Sequence, residues 1–292
     1  MSEIRKCFTS RFEKGMLMEV DFSQLEVAAL AFLTQDQQMM QDIHDDLDMH
    51  LVSASWVSGK DYDYLKHLYD KGDASTIKLR KESKRPRFEL QYGAGAKTIA
   101  ENNKWPIKKA KDYIARYYAR YPQVKEWQED VANQVEYNAR IKTGWVSASA
   151  APPRTSYYRC PHTNRRYVFN TYPDKRTGDH KFSPTQMKNY PVQGFATADL
   201  VPTVLGELVN RIYKSKMEDS ILLVNTVHDS VLLDIENVYS KGFAIGLIVQ
   251  TFGNAVEIMK ECYDIDINVP IRYSIETGPN WAEMEKVELK NG

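Results

Sequence analysis

Two aspartates with apolar flanks stand near opposite ends of this chain. Asp21 closes the run Met16-Leu-Met-Glu-Val-Asp21, and Asp229 lies within Val224-Asn-Thr-Val-His-Asp-Ser-Val-Leu-Leu233. Short apolar runs of this kind predict buried strands. A carboxylate at the edge of such a strand is costly unless it is paired or bound to a cation. Brought together by folding, the two would hold Mg²⁺, which takes a few carboxylates and completes its shell with substrate phosphates and water. That is the minimum equipment for two-metal phosphoryl transfer. Either aspartate taken alone also fits a turn or a cap.

A second group lies between them, in Arg80-Lys-Glu-Ser-Lys84-Arg-Pro-Arg-Phe88-Glu-Leu-Gln-Tyr92-Gly-Ala-Gly95. Arg80, Lys84 and Phe88 recur every fourth residue, so a helix stacks them on one face. Two cations followed by an aromatic ring match a nucleoside triphosphate, with phosphates at one end and sugar and base at the other. A solvated basic helix with one core-facing Phe has the same spacing.

The elements that must position these groups can be read coarsely. A strand is predicted near Met16 to Val20, followed by an apolar helix from Gln24 to Leu33. His50 to Trp56 reads as helix. Gly72-Asp73 breaks the chain before the basic helix, and Gly93-Ala-Gly95 ends it. Pro86 within that helix predicts a lost hydrogen bond and a kink. Ile107 to Arg120 and Val124 to Asn138 read as helices on either side of Pro122. Pro152-Pro153 opens a stretch of hairpin or loop reaching Pro184. A helix is expected from Gln193 to Tyr213, then a hairpin of Ile221–Val224 with Val231–Ile235 around His228-Asp229. One long amphipathic helix is expected from Lys241 to Cys262, and a last strand from Ile265 to Ile275. Strands at both ends with helices between them predict an α+β fold, a mostly antiparallel sheet split by a helical insertion.

Several segments, in order, resemble family A DNA polymerases, the bacterial DNA polymerase I type. Asp21-Phe-Ser-Gln-Leu-Glu26 is similar to the family's first signature, and Asp48-Met-His50 with Ala54-Ser-Trp56 to the segment after it. Arg80, Lys84, Phe88, Tyr92 and Gly93 fall on the second signature with its spacing intact. Tyr121-Pro-Gln-Val-Lys-Glu-Trp127, Asn189-Tyr-Pro-Val-Gln-Gly194, Val227-His-Asp229, Val269-Pro-Ile271 and Gly278-Pro-Asn-Trp281 resemble further segments. The resemblance implies a palm sheet over residues 1–45 and 186–292, and helical fingers over 46–185 with a hairpin or loop stretch at 140–185. It implies a DNA-templated DNA polymerase acting on dNTPs and primer-template DNA. Two Mg²⁺ ions would be held by Asp21, Asp229 and the backbone carbonyl of Phe22. Arg80, Lys84 and His50 would meet the triphosphate, with Lys84 also catalytic. Glu26 would exclude a ribose 2′-hydroxyl, and Gln24 would also meet the nucleotide. Phe88 would pack on the incoming sugar and base, and Tyr92 beside the templating position. Gln193, Asn189 and His228 would touch primer or template.

The chain also departs from the family pattern. Ser230 stands where many relatives carry Glu, and Ala28 where many carry Arg. Phe195-Ala-Thr-Ala-Asp199 is one residue longer than the common bacterial form. These departures suggest a phage-like branch. The chain opens near the first catalytic strand, so thumb and exonuclease are expected to be absent. A second polypeptide is expected to supply the thumb, and an exonuclease if there is one. A single-subunit RNA polymerase relative and a non-catalytic nucleic-acid-binding remnant are the alternatives. Glu26 argues against the first, and the intact Asp21, Asp229, Arg80 and Lys84 against the second.

Composition sets the outer bounds. The 292 residues suffice for a large core or two subdomains. No apolar run approaches the roughly 20 residues of a membrane span, so no membrane partner is expected. Three scattered cysteines suit a reducing cytoplasm, a host's if the gene is a phage's. Cys160-Pro-His162 lacks a second pair of ligands at zinc spacing. Net charge is zero, yet Lys78 to Arg120 is strongly basic and Thr34 to Ser75 acidic. A basic block in a neutral chain suits local contact with phosphate.

Overall fold

A computed structural model describes residues 3–143, 155–174 and 177–289. A short 3₁₀ turn, Glu3–Cys7, leads to strand β1 (Met16–Ser23) and helix α1 (Leu25–Thr34). Then follow α2 (Gln37–His44), α3 (Met49–Ser58), α4 (Tyr62–Asp70) and α5 (Ala74–Gln91). Each of these four begins at an aspartate: Asp36, Asp48, Asp61 and Asp73 accept backbone N–H bonds from the first turn. Such caps satisfy amides the helix leaves unpaired. Much of the acidic stretch is therefore helix punctuation. Next come α6 (Ala96–Asn103), α7 (Ile107–Arg120) and α8 (Pro122–Thr143), the last starting on the proline that suits a first helical position.

Strands β2 (Thr155–Arg159), β3 (Arg166–Pro173) and β4 (His180–Phe182) form a three-stranded antiparallel sheet. It occupies most of the stretch expected as hairpin or loop. Pro152 and Pro153 lie outside the described residues. After α9 (Pro184–Gln193), Gly194–Leu200 is wound as a π-helix and α10 covers Val201–Lys214. Strands β5 (Ile221–Val227) and β6 (Ser230–Ile235) precede α11 (Val238–Thr251), α12 (Ala255–Tyr263), β7 (Arg272–Gly278) and β8 (Glu285–Lys286).

The chain forms two compact units, Met1–Ala29 with Gln193–Gly292, and Leu30–Val192. The first is built on a five-stranded sheet ordered β5-β6-β1-β7-β8, antiparallel throughout. Leu17, Leu232 and Trp281 pack together against this sheet. Phe22 stacks on Phe252, ring centroids 4.7 Å apart. The second unit is mainly helical. Its core includes Leu51, Ala54 and Leu65 at one place. Trp56 meets the edges of Tyr113, Tyr117 and Tyr121 at another.

Three local expectations are corrected. Lys241–Cys262 is not one helix: α11 and α12 meet at a 55° bend. A side chain at Gly253 would collide with the Val249 carbonyl, and Asn254 leaves helical geometry (φ −111°), so the ladder breaks there. The last strand begins at Arg272 rather than Ile265. Asp264 is left-handed (φ +56°) and Pro270 has no amide to donate, which keeps the intervening segment out of the sheet. The helix expected from Gln193 opens with the π-turn, which includes the segment 195–199 expected to be one residue longer than the common bacterial form. One added residue widens a helical turn in this way. The hydroxyls of Thr197 and Thr203 donate to the carbonyls of Gln193 and Asp199 around the irregular stretch. Helix α5 runs from Ala74 to Gln91 with Pro86 inside it and buried.

Candidate active site

The sheet brings the two aspartates together by register. Asp21 on β1 lies opposite Ser230 on β6 and Ser274 on β7. The Phe22 amide donates to the Asp229 carbonyl at 3.4 Å. Asp229 sits in the two-residue turn between β5 and β6, and its neighbour His228 is left-handed (φ +56°). Gln24, at the turn from β1 into α1, is left-handed as well (φ +54°). Non-glycine residues rarely adopt this geometry, and it concentrates where side-chain direction matters. The Gln24 carbonyl accepts the amides of Val27 and Ala28, which starts α1 and puts Glu26 in its first turn.

Both carboxylates face a cavity of about 320 Å³, lined also by Glu19, Glu276, Ser230 and Ser274, with Arg5 as the cation among the lining residues. Glu19 lies two residues before Asp21, hence on the same strand face, and pairs across to Glu276. That period-2 relation is legible in the sequence, where Glu19 stands two residues from Asp21. The indole N–H of Trp281 donates to Glu19 at 3.1 Å, and the Arg5 guanidinium lies over the Trp281 ring at 4.4 Å. Desolvation, then repulsion from Asp229, Glu19 and Glu276, pushes the Asp21 carboxyl up to about 6. Asp229 is raised chiefly by burial, opposed by its own amide and by His228. Crowded acids of this kind favour a bound cation. Among the described residues, no three His, Cys, Asp or Glu side chains converge to hold a metal unaided. Two carboxylates with open positions suit Mg²⁺, which keeps water and substrate oxygens in its shell.

In the helical unit, α5 presents Arg80, Lys84 and Phe88 one turn apart, and Tyr92 caps its C-terminal end. The Arg80 Nε donates to Asp48 at 2.6 Å, and its guanidinium lies over Tyr69 at 5.1 Å. Lys84 is half-buried and Lys81 exposed. The Phe88 ring lies 5.7 Å from His50 and stacks on Tyr92 at 6.0 Å. His50 is 6% exposed. Its Nδ1 is buried without a partner. Burial first, then the positive charges of Arg87 and Lys84, push its pKa down to about 3, so its imidazole is neutral. It can offer a ring N–H to a phosphate, but no charge. Gly93 has positive φ (+85°), and any side chain there would meet the stem of Lys188.

Arg87 was not singled out from sequence. It is 1% exposed and donates to the Met49 carbonyl at 3.3 Å and the Ser53 hydroxyl at 3.5 Å. It ties α5 to the helix that carries His50. No spacing rule marks a buried arginine within a basic run. On α9, the Asn189 Oδ1 is buried without a partner, and Gln193 is half-buried at the helix end. Asp21, Phe22, Gln24, Glu26, Gln193, His228 and Asp229 thus belong to the sheet unit. His50, Arg80, Lys84, Phe88, Tyr92 and Asn189 belong to the helical one.

The model of DNA polymerase family A matches residues 1–283. The chain belongs to DNA polymerase family A. It is 27% identical over 281 residues to DNA polymerase I of Lactococcus lactis subsp. cremoris, covering 96% of this chain and 27% of that protein. It is 26% identical over 284 residues to the thermostable DNA polymerase I of Thermus filiformis, covering 97% and 29%. The chain thus spans less than a third of the length of these family A relatives. Its fold is similar to the POL domain of Pol1 from M. smegmatis, solved in complex with DNA primer-template and dNTP. The TM-score is 0.66 at 20% identity, over 95% of this chain and 42% of that one. Mixed helix and antiparallel sheet is therefore the fold of a family A polymerase domain.

Proposed function

We propose that this chain carries the nucleotidyl-transfer centre of a DNA-templated DNA polymerase, adding dNTPs to a primer 3′-hydroxyl. The observation that carries the reading is the Asp21–Asp229 pair, fixed by adjacent antiparallel strands in an acidic cavity, in a chain of this family. Asp21, Asp229 and the Phe22 carbonyl would hold two Mg²⁺ ions. Bound there, the ions supply a more acidic primer hydroxyl and a charge clamp on the leaving pyrophosphate.

The chain's own residues do the rest. Asp21 and Asp229 orient the reacting oxygens through fixed backbone positions. Lys84 places its ammonium on the triphosphate, where negative charge grows on the leaving group. Arg80 reaches the same phosphates while Asp48 holds its guanidinium in place. His50 contributes a neutral N–H donor. Phe88 packs on the sugar and base, Tyr92 lies beside the templating base, and Gln24 contacts the nucleotide. Glu26 occupies the space of a 2′-hydroxyl. Asn189, with its unsatisfied acceptor, Gln193 and His228 contact primer or template.

Primer extension with labelled dNTPs, Mg²⁺ and a primed template tests this. Extension that is lost in Asp21→Ala and Asp229→Ala supports it. Extension with NTPs in preference to dNTPs would favour the RNA polymerase relative, and no extension with retained DNA binding the non-catalytic remnant.

A further inference from the structure

The helical unit holds a second cavity, of about 450 Å³, lined by Trp56, Tyr113, Lys108, Lys109, Asp112 and Arg116 among others. It lies at the C-terminal end of α3 and along α7, and shares no lining residue with the acidic cavity. Its lining carries three cations against one carboxylate. Among the described residues none of the three cations makes an ion pair; Lys109 rests over the Trp105 ring at 4.8 Å. Unpaired cations beside a rigid aromatic wall are the equipment for a nucleotide: the ring stacks on a base and the cations take phosphate. The wall is preset. The Trp56 ring is held edge-on by Tyr113, Tyr117 and Tyr121 at 5.9, 6.2 and 6.1 Å. Tyr113 is in turn fixed by donating to Ser53 at 3.3 Å.

Spacing separates a strand from a free nucleotide. Lys108 and Arg116 are eight residues apart on α7, so their Cα atoms stand about 12 Å apart on one face. The phosphates of a single nucleotide are contiguous, whereas those of a strand recur along its length, so cations spread along a helix suit a strand. Aromatic stacking accepts any base and needs it unpaired, which excludes a closed duplex. We propose that this cavity binds a nucleotide of a single nucleic-acid strand, its base against Trp56 and its neighbouring phosphates on Lys108, Lys109 and Arg116. On the functional reading above, that strand is the unpaired part of the template. Asp112, between the two end cations on the same face, opposes phosphate and limits the affinity of the site.

The test uses the full 292-residue chain. Fluorescein-labelled primer-templates with a one-nucleotide or a 12-nucleotide template overhang are bound to wild type and to Lys108→Ala/Arg116→Ala, by anisotropy over a salt series. The wild type should bind the long overhang more tightly than the short one, and the double variant should bind both alike. Its salt slope on the long overhang should fall by about 0.7 per lost single-strand phosphate contact, so about 1.4 in all. Removing the same charge elsewhere, in Lys6→Ala/Lys260→Ala, should leave the overhang preference intact. Equal affinity of the wild type for both overhangs overturns the proposal. So does loss of labelled dATP binding in the double variant with no effect of overhang length, since the occupant would then be a free nucleotide. Extension of the one-nucleotide overhang should be unchanged in the double variant. If no variant or wild type extends a primer while the overhang preference persists, the polymerase reading fails and the strand site stands.

Discussion

The backbone amide of Phe22 and the backbone carbonyl of Asp229 share a hydrogen bond of 3.4 Å. It fixes one aspartate by the other across more than two hundred residues of chain, with no side chain involved. A site held by a sheet ladder is more precise than one held by loops. The cost is repulsion, and its sign can be worked out. Asp21 is raised from 3.8 to about 6, so the native state keeps this proton more tightly than the unfolded chain. Stability is therefore lost as pH rises through about 6. Asp21→Asn should melt higher than the wild type at pH 7.5 without metal, with the advantage gone below about pH 4. Mg²⁺ should raise the melting temperature of the wild type more than that of the variant, and Asp21→Asn should not extend a primer. A variant that melts lower at neutral pH would contradict the crowding seen in the cavity.

Lys84 and Lys81 give a test of helix face. Lys84 lies in line with Arg80 and Phe88, while Lys81 is exposed one position round. On the proposed function Lys84→Ala removes a charge that would face the leaving group, so it should lower kcat/KM about a hundredfold, roughly 3 kcal/mol. Lys81→Ala should change it little. Equal losses in steady-state kinetics would mean that the basic helix acts only through its overall charge.

How legible the sequence was depended on the physics at each position. Asp21 and Asp229 could be paired because each stands alone as a carboxylate at the end of a run of strand-forming apolar residues, although β5, which leads to Asp229, is mostly exposed. The α5 stripe follows from the helical period alone. The break near Gly253 is hidden because apolar periodicity carries on across it, and the close approach of the Val249 carbonyl to Gly253 exists only in three dimensions. The π-turn at Gly194–Leu200 lies within an apolar pattern that reads as ordinary helix. Burial of Arg87 and the neutral state of His50 depend on packing between helices distant in sequence.

Asp42 tests how much of the helical unit rests on one buried ion pair. Its carboxylate, 1% exposed, accepts from Arg120 at 2.9 and 2.6 Å and from Tyr121 at 2.7 Å. Asp42→Ala strips the counter-charge from the guanidinium and one partner from a buried phenol. The loss should be about 3 kcal/mol in urea unfolding monitored by tryptophan fluorescence. A loss near zero would show that Arg120 simply turns to solvent.

His50 gives a pH signature of the helical unit. Its pKa is pushed from 6.5 down to about 3 by burial and by Arg87 and Lys84. A depressed pKa means that the native state resists protonation. The neutral ring's contribution is complete above about 6.5 and is lost progressively as pH falls toward 3. His50→Asn should flatten the melting-temperature profile over that window relative to the wild type. Proton NMR of the wild-type imidazole should find no titration near 6.5. An inflection there would place the ring in solvent and restore it as a cation for the triphosphate.

Glu26 decides between two polymerase chemistries. It is half-buried in the first turn of α1, two residues beyond the left-handed Gln24 that sets the direction of that turn. An acid in a first turn gains a few tenths of a kcal/mol from the helix dipole, so a stabilising role alone predicts a small loss of stability on truncation. A sugar-excluding role predicts something different. Glu26→Ala opens room beside the sugar, so the ratio of kcat/KM for an NTP to that for the matching dNTP should rise by roughly tenfold to a hundredfold. Glu26→Gln keeps the bulk and should keep most of the discrimination, which separates steric exclusion from charge. Both constants come from single-nucleotide addition at varied substrate concentration, with the melting temperature recorded beside them. A changed melting temperature with an unchanged ratio would leave Glu26 as helix punctuation, and the choice of sugar would then have to come from another residue.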